Sequence, residues 1–209
     1  GTFLPPKKIW ICQDFLNTLE NKEIQSGIGE ILKVHAIAGY KEFDLLKRDF
    51  SKLTSDRATL LHYIREALLI KQKYIEVDEF DKGLRNIFNY GHSFGHAIES
   101  ATNFKIPHGV SVTIGMDMAN HIAVMRGLLP TKHRDRMHDV LSRNYFDFKS
   151  VPIQLDTMLS ALLKDKKNTA TELILILPVG EKAAIQRVSV APDEGFRSQC
   201  MQFLESITV

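Results

Sequence analysis

Residues 85–109 are Arg-Asn-Ile-Phe-Asn-Tyr-Gly-His-Ser-Phe-Gly-His-Ala-Ile-Glu-Ser-Ala-Thr-Asn-Phe-Lys-Ile-Pro-His-Gly, a run in which polar side chains recur at helical spacing. Arg85, Asn89, His92 and His96 fall at offsets of 0, 4, 7 and 11. At 100° per residue this confines them to an arc of about 60° on one helix face. The spacing predicts one helix carrying four polar, chemically capable side chains on a single side. Gly91 and Gly95 would each cost a solvated helix about 1 kcal/mol relative to Ala, so their expected use is the close approach of another backbone or a ligand. His108 follows Pro107, past the expected end of that helix.

Two histidines at i, i+4 can chelate a borderline divalent ion, with a third nitrogen or carboxylate from elsewhere and one position left open for substrate. Spacing alone favours His92 with His96. An isolated H-x-x-x-H also occurs as a pair of partly exposed histidines. The arginine and asparagine on the same face weigh against that reading, because a buried polar stripe costs stability unless its members find partners.

Around this stretch lies an ordinary globular composition: 209 residues, 44% hydrophobic and 25% charged, with 27 basic and 25 acidic residues giving a net charge of +2. The charges are interspersed, which is a solvated surface and not a nucleic-acid footprint. No apolar run approaches the 18 or so residues of a membrane span, and no charged-then-apolar leader opens the chain, so a cytoplasmic protein is expected. Cys12 and Cys200 are expected to be free thiols. The opening Gly1-Thr-Phe-Leu-Pro-Pro6, without methionine, raises the expectation of a piece of something longer.

Residues 8–12, Lys-Ile-Trp-Ile-Cys, are expected to form a short strand after a proline loop, with Asp14 capping the next turn. Residues 26–38 read as a largely buried helix with Glu30 and Lys33 three apart on a shared face; the two either pair with each other or are delivered to a site. His35 reads as a packing residue. A short amphipathic helix follows over 41–53, then a stronger one over 56–77. On the latter, Lys71 continues the apolar face of Leu60, Ile64, Ala67 and Leu68, either snorkelling or carrying an ammonium into a site. Asp78, Glu79 and Asp81 suit the N-terminus of the next helix. A mostly apolar helix runs to about Gly127 with its methionines as core filler, and further helices are expected over 131–143 and 151–163. Residues 172–180 and 183–190 predict a hairpin packed on the helical body, and a last helix covers 192–207. The sum is a mainly α, multihelical fold with a small β-hairpin near the C-terminus, forming one domain over 1–209.

The chemistry-bearing residues are thus a carboxylate at Glu30, imidazoles at His92, His96 and His108, cations at Lys33, Lys71 and Arg85, the amide of Asn89, and lysines at 166 and 167. Nitrogen and oxygen ligands suit zinc or a similar divalent ion, and the remaining cations suit phosphate and carboxylate. Together they point to an enzyme for an anionic, polyhydroxylated substrate that chelates a Lewis-acidic metal.

The runs Gly83-Leu-Arg85, Asn89-Tyr-Gly-His-Ser-Phe-Gly-His-Ala-Ile-Glu99, His108-Gly109 and Ile114-Gly-Met116, with Gly29-Glu-Ile-Leu-Lys33 and Lys71 before them and Asp165-Lys-Lys-Asn168 after, extend in order across nearly the whole chain. This set resembles the signature of 3-dehydroquinate synthases and related sugar-phosphate cyclases. The resemblance implies the metal- and substrate-binding C-terminal domain of such an enzyme, with zinc or cobalt on Glu30, His92 and His108. It implies substrate contacts from Lys33, Lys71, Arg85, Asn89, His96 and Lys167, with Lys33 and His96 in catalytic roles and His96 handling protons. It further implies NAD bound mainly by an N-terminal α/β domain, whose Gly-rich phosphate loop does not occur in this sequence, and a homodimer. The implied reaction cyclises a seven-carbon keto sugar acid phosphate, a 3-deoxy-heptulosonate 7-phosphate, through transient oxidation by NAD, loss of phosphate, re-reduction and aldol closure. The fragment alone is expected to be inactive.

Three departures from the family pattern bear on this. Val110 stands where a glutamate usually follows His-Gly, Gly29 stands where alanine is common before Glu30, and Phe88 replaces an aliphatic residue. The first removes a carboxylate expected to support His108. Related cyclases take neutral sugar phosphates such as sedoheptulose 7-phosphate or make an amino analogue; Lys71, Arg85 and Asn89 favour a carboxylated substrate. A glycerol-type metal-dependent dehydrogenase is disfavoured by the same cations, and a non-catalytic metal-binding domain is the remaining class.

Overall fold

The computed structural model describes residues 7–78, 83–164 and 171–207. The expectations placed on Glu79, Asp81, Lys166 and Lys167 lie outside the described residues. In chain order the helices are α1 (Asn21–Ala38), α2 (Tyr40–Asp49), α3 (Arg57–Val77), α4 (His92–Ala101), α5 (His108–Met125), α6 (Thr131–Asn144) and α7 (Leu155–Leu163). Strands β1 (Leu173–Val179) and β2 (Ala184–Val190) then form an antiparallel hairpin, from Leu173 opposite Val190 to Val179 opposite Ala184, and α8 (Glu194–Ile207) closes the chain. The mainly α fold with a C-terminal hairpin is the one the periodicity predicts, with boundaries shifted by a few residues.

The axis of the molecule is α5, buried at every position from Gly109 to Asn120 because its sequence is mostly apolar or small, with the buried Asp117 and Asn120 hydrogen-bonded inside the core. Helices α1, α4, α6 and α8 and strand β1 pack on it. Met116 and Met118 are fully buried there, as core filler. Glycines allow the closest approaches. A Cβ on Gly29 of α1 would lie 2.0 Å from the Gly109 carbonyl oxygen, and one on Gly109 would lie 1.8 Å from that of Ser26. The backbones of α1 and α5 therefore touch beside Glu30 and His108. Asp56 caps α3 by accepting the amides of Ala58 and Thr59.

Three expectations are corrected. The single helix over 85–96 does not form: Leu84–Asn89 is a 3-10 helix, Tyr90 turns extended, Gly91 adopts φ 77°, and the α-helix begins at His92. The reason is packing, since a Cβ on Gly91 would meet Met116 Cγ and the Val112 carbonyl oxygen at 2.6 Å. The chain reaches α5 here and must turn, which glycine permits. Asp78 secures the preceding turn, its Oδ2 accepting from the Gly83 and Arg85 amides at 3.1 Å. The strand expected over 8–12 is also absent. Ile9 and Trp10 are exposed and the only described sheet is the β1–β2 pair, so this segment has no ladder to join. Asp14 lies inside the 3-10 turn Gln13–Thr18 instead of capping it. Cys12 and Cys200 are free, and no described helix is long and apolar enough to cross a membrane.

Candidate metal and anion site

Four helices converge on one corner. From α1 come Glu30 and Lys33, from α3 Lys71, from α4 His92 and His96, and from the first turn of α5 His108. Glu30 Oε1 lies 3.7 Å from His92 Nε2 and 3.7 Å from His108 Nε2. Two donors bound tetrahedrally to one zinc ion are separated by about 3.4 Å, given metal–ligand bonds of about 2.1 Å. The three side chains thus fit a divalent ion with little adjustment. Both histidines offer Nε2 to this point, with His92 Nδ1 3.5 Å from the Tyr90 carbonyl oxygen and His108 Nδ1 3.2 Å from Glu99 Oε2.

His96 is close as well. Its ring centroid is 5.3 Å from that of His92 and 5.6 Å from that of His108, and the three imidazoles have nitrogens within 4.8 Å of one another. Both ligand sets raised by the sequence, the His92–His96 pair and the Glu30–His92–His108 triad, are therefore brought together around His92.

Lys33 marks the site as one that attracts cations. Its ammonium, 4% exposed, donates to Glu30 at 2.9 and 3.1 Å and lies 3.3 Å from His92 Nε2. A positive group thus already sits on two of the three candidate ligands. Burial pushes the Lys33 ammonium below its ordinary value; the Glu30 carboxylate opposes this and the Lys71 ammonium adds to it. Burial also pushes the Glu30 carboxyl upward, but the Lys33 ammonium, with His92 and Lys71, outweighs it and holds the carboxyl low. Burial, assisted by the Lys33 charge, lowers His92 to about 4, so its ring is neutral and ready to donate a lone pair. Of the two readings of Glu30 and Lys33, the structure shows the pair, and it places that pair beside the imidazoles.

Next to the imidazoles a cavity of about 180 Å³ is lined by Lys33, Lys71, Ile75, Arg85, Phe88 and Asn89. Lys71 Nζ is 4.0 Å from Glu30 Oε2, so it reaches inward from α3. Arg85 and Asn89 arrive from the 3-10 helix and not from α4, which separates the face read as one stripe into a carboxylate-and-imidazole corner and a cation-lined pocket joined by Lys33. Phe88 stacks edge-on against Tyr74, with centroids 5.1 Å apart, and so forms an aromatic wall of the pocket. Lys167 is outside the described residues.

Glu99 is at the site although the spacing argument does not include it. It stands three residues after His96 and seven after His92, on the same face of α4, and this offset was the available signal. Val110 is fully buried in the apolar core, turned away from His108.

Residues 27–168 match the sequence-family model described as 3-dehydroquinate synthase C-terminal. The 3-dehydroquinate synthase of Dictyoglomus turgidum is 35% identical over 195 residues, covering 92% of this chain and 54% of that protein. That of Streptococcus pyogenes is 36% identical over 181 residues, covering 85% and 50%. The chain spans about half the length of the curated relatives it matches. Among solved structures, 2-epi-5-epi-valiolone synthase from Streptomyces hygroscopicus, with NAD+ and Zn2+ bound, superposes with a TM-score of 0.73 at 25% identity over 92% of this chain and 54% of that one. A 2-deoxy-scyllo-inosose synthase, complexed with carbaglucose-6-phosphate, NAD+ and Co2+, gives 0.70 at 19% identity over 91% and 55%, a likeness of fold. With the greater part of its length matched by that family model and its relatives at this identity, the chain belongs to the family of 3-dehydroquinate synthase C-terminal domains.

Proposed function

We propose that this chain is the metal- and substrate-binding part of a 3-dehydroquinate synthase-like cyclase, acting with a separate N-terminal NAD-binding domain on a 3-deoxy-heptulosonate 7-phosphate. The observation that carries the reading is the placement of Glu30 Oε1 at 3.7 Å from the Nε2 atoms of both His92 and His108, directly beside a pocket walled by three cationic side chains. Glu30, His92 and His108 are the proposed ligands. A divalent ion held there supplies Lewis-acid polarisation of a substrate oxygen, and NAD supplies a reversible hydride acceptor.

The chain's own residues do the rest. Lys33, Lys71 and Arg85 draw in and orient a substrate carrying carboxylate and phosphate, with Lys167 a further phosphate contact. The Asn89 amide donates and accepts at the substrate hydroxyls. The His96 imidazole, beside both ligand histidines, assists in moving a proton at a substrate hydroxyl. Lys33, the most buried of the cations, stabilises negative charge developing on the substrate in a site of low dielectric.

The test is the metal content of the purified protein and of single alanine variants. One bound divalent ion is expected, lost in Glu30→Ala, His92→Ala and His108→Ala and retained in His96→Ala. Joined to its NAD domain, the protein is expected to turn over the carboxylated seven-carbon substrate and to leave sedoheptulose 7-phosphate unused. Loss of the ion in His96→Ala with retention in Glu30→Ala would replace the ligand set, and turnover of only the neutral sugar phosphate would replace the substrate.

A further inference from the structure

Glu99 lies in the last turn of α4, and its side chain is 12% exposed whereas that of His108 is 43% exposed. Its two carboxylate oxygens are 3.2 and 3.3 Å from His108 Nδ1, so the ring nitrogen faces both together. The helix end that carries it is tied down, since the Glu99 carbonyl accepts the Phe104 amide at 2.8 Å and the Thr102 hydroxyl at 3.3 Å. The other ring nitrogen, Nε2, is the one 3.7 Å from Glu30.

We propose that Glu99 is the positioning residue for His108, holding its proton on Nδ1 so that the Nε2 lone pair is aimed at the metal corner. Both Glu99 oxygens face Nδ1 as acceptors, so the hydrogen bond between the two side chains places a proton on that nitrogen and leaves Nε2 toward Glu30. The arrangement also assigns the role left open by Val110. That side chain is fully buried among apolar residues, two positions along α5 from His108, and so stands on a different face. The supporting carboxylate comes instead from α4, the helix that already carries His92. One rigid element thereby supplies one ligand and orients the other, as outer carboxylates do for metal-bound histidines generally. The inference rests on His108 being a ligand, as proposed above.

The experiment has two readouts. Nitrogen-15 NMR of the metal-free protein reports the His108 tautomer, and competition with a chromophoric chelator reports Zn2+ affinity, each for the wild type, Glu99→Gln, Glu99→Ala and His108→Ala. The expected results are a wild-type proton on Nδ1, retained in Glu99→Gln, whose amide oxygen still accepts, and lost from that nitrogen as the dominant site in Glu99→Ala. Affinity is expected to fall about 10- to 100-fold in Glu99→Ala, with partial recovery in Glu99→Gln. A wild-type proton on Nε2, or a Glu99→Ala affinity within about twofold of wild type while His108→Ala abolishes binding, overturns this role for Glu99 and leaves the ligand set standing. Unchanged affinity in His108→Ala overturns the ligand set and this inference together. The tautomer of the wild type tests the proposal even if Glu99→Ala fails to fold.

Discussion

Gly29 and Gly109 bring α1 and α5 into backbone contact, a Cβ on the first falling 2.0 Å from the carbonyl oxygen of the second. Their chain neighbours are Glu30 and His108, whose side chains meet at 3.7 Å. The spacing of two candidate ligands is therefore set by the absence of a side chain next to each. Alanine at the first position does not fit this arrangement. Gly29→Ala is expected to destabilise the protein by about 3 kcal/mol, the upper range for overpacking, and to weaken metal binding beyond that loss. Urea unfolding with and without Zn2+ measures both; unchanged stability would mean that the two helices separate freely.

Lys33 should affect metal and substrate in opposite directions. Its ammonium hydrogen-bonds Glu30 and approaches His92, so it competes for the proposed ligands, yet it also lines the proposed anion pocket. Lys33→Met is expected to bind Zn2+ several-fold more tightly, because a like charge near the ion is removed, and to bind an anionic sugar phosphate at least tenfold more weakly. Calorimetric titration with each ligand separates the two effects. A parallel loss of both would assign Lys33 a purely structural role.

Lys71 is the cleaner test of the anion pocket. It reaches Glu30 only at 4.0 Å and is 41% exposed, so its pairing there is worth little. Lys71→Met is expected to leave Zn2+ affinity within about twofold and stability within about 0.5 kcal/mol, while phosphate-ester affinity falls about tenfold or more. Equal phosphate-ester binding by the variant would remove Lys71 from the substrate contacts.

Away from the site, Asp117 is a fully buried carboxylate in α5 that accepts from Tyr145 Oη at 2.6 Å and pairs with His138 Nδ1 at 2.7 Å. The hydrogen bond to Asp117 holds the His138 imidazole above its ordinary value. A raised value in the folded state makes the contribution fully present below the unfolded value of about 6.5 and lost as pH rises through the folded one. The difference in unfolding free energy between wild type and His138→Gln should thus be largest near pH 6 and shrink toward pH 9. Burial holds His35 and His92 low, so they act in the opposite sense, costing stability as pH falls below about 6.5; the difference between the two proteins cancels their part. A difference independent of pH would mean that His138 contributes by packing alone.

Tyr90 supports the turn that starts α4. Its ring is fully buried and its hydroxyl donates to Asn120 Oδ1 inside the core. Tyr90→Phe leaves that amide oxygen without its donor and is expected to cost about 1–3 kcal/mol. The carbonyl of the same residue faces His92 Nδ1, so Zn2+ affinity is expected to hold if only the hydroxyl is lost. Thermal unfolding and chelator competition on one sample check the two halves of this expectation.

The helices and the terminal hairpin were legible in the sequence, because hydrophobic periodicity is local and records which side of each segment is buried. The sequence also carried the identity of Glu30, Lys33, Lys71, Arg85, Asn89, His92, His96 and His108 as chemistry-bearing residues, since their types stand out wherever they are placed. Tertiary structure alone decided their grouping. The break at Gly91 arises from contact with Met116 and Val112, residues more than 20 positions away, and no local propensity announces it. Because of that break, Arg85 and Asn89 join Lys71 in a pocket while His92 and His96 turn toward His108. Glu99 shares a face with the histidines in any helix, yet its meeting with His108 depends on how α4 lies across α5. The exposed apolar run at residues 9–11 shows the converse: a pattern suited to a strand forms none without a neighbouring edge to pair with.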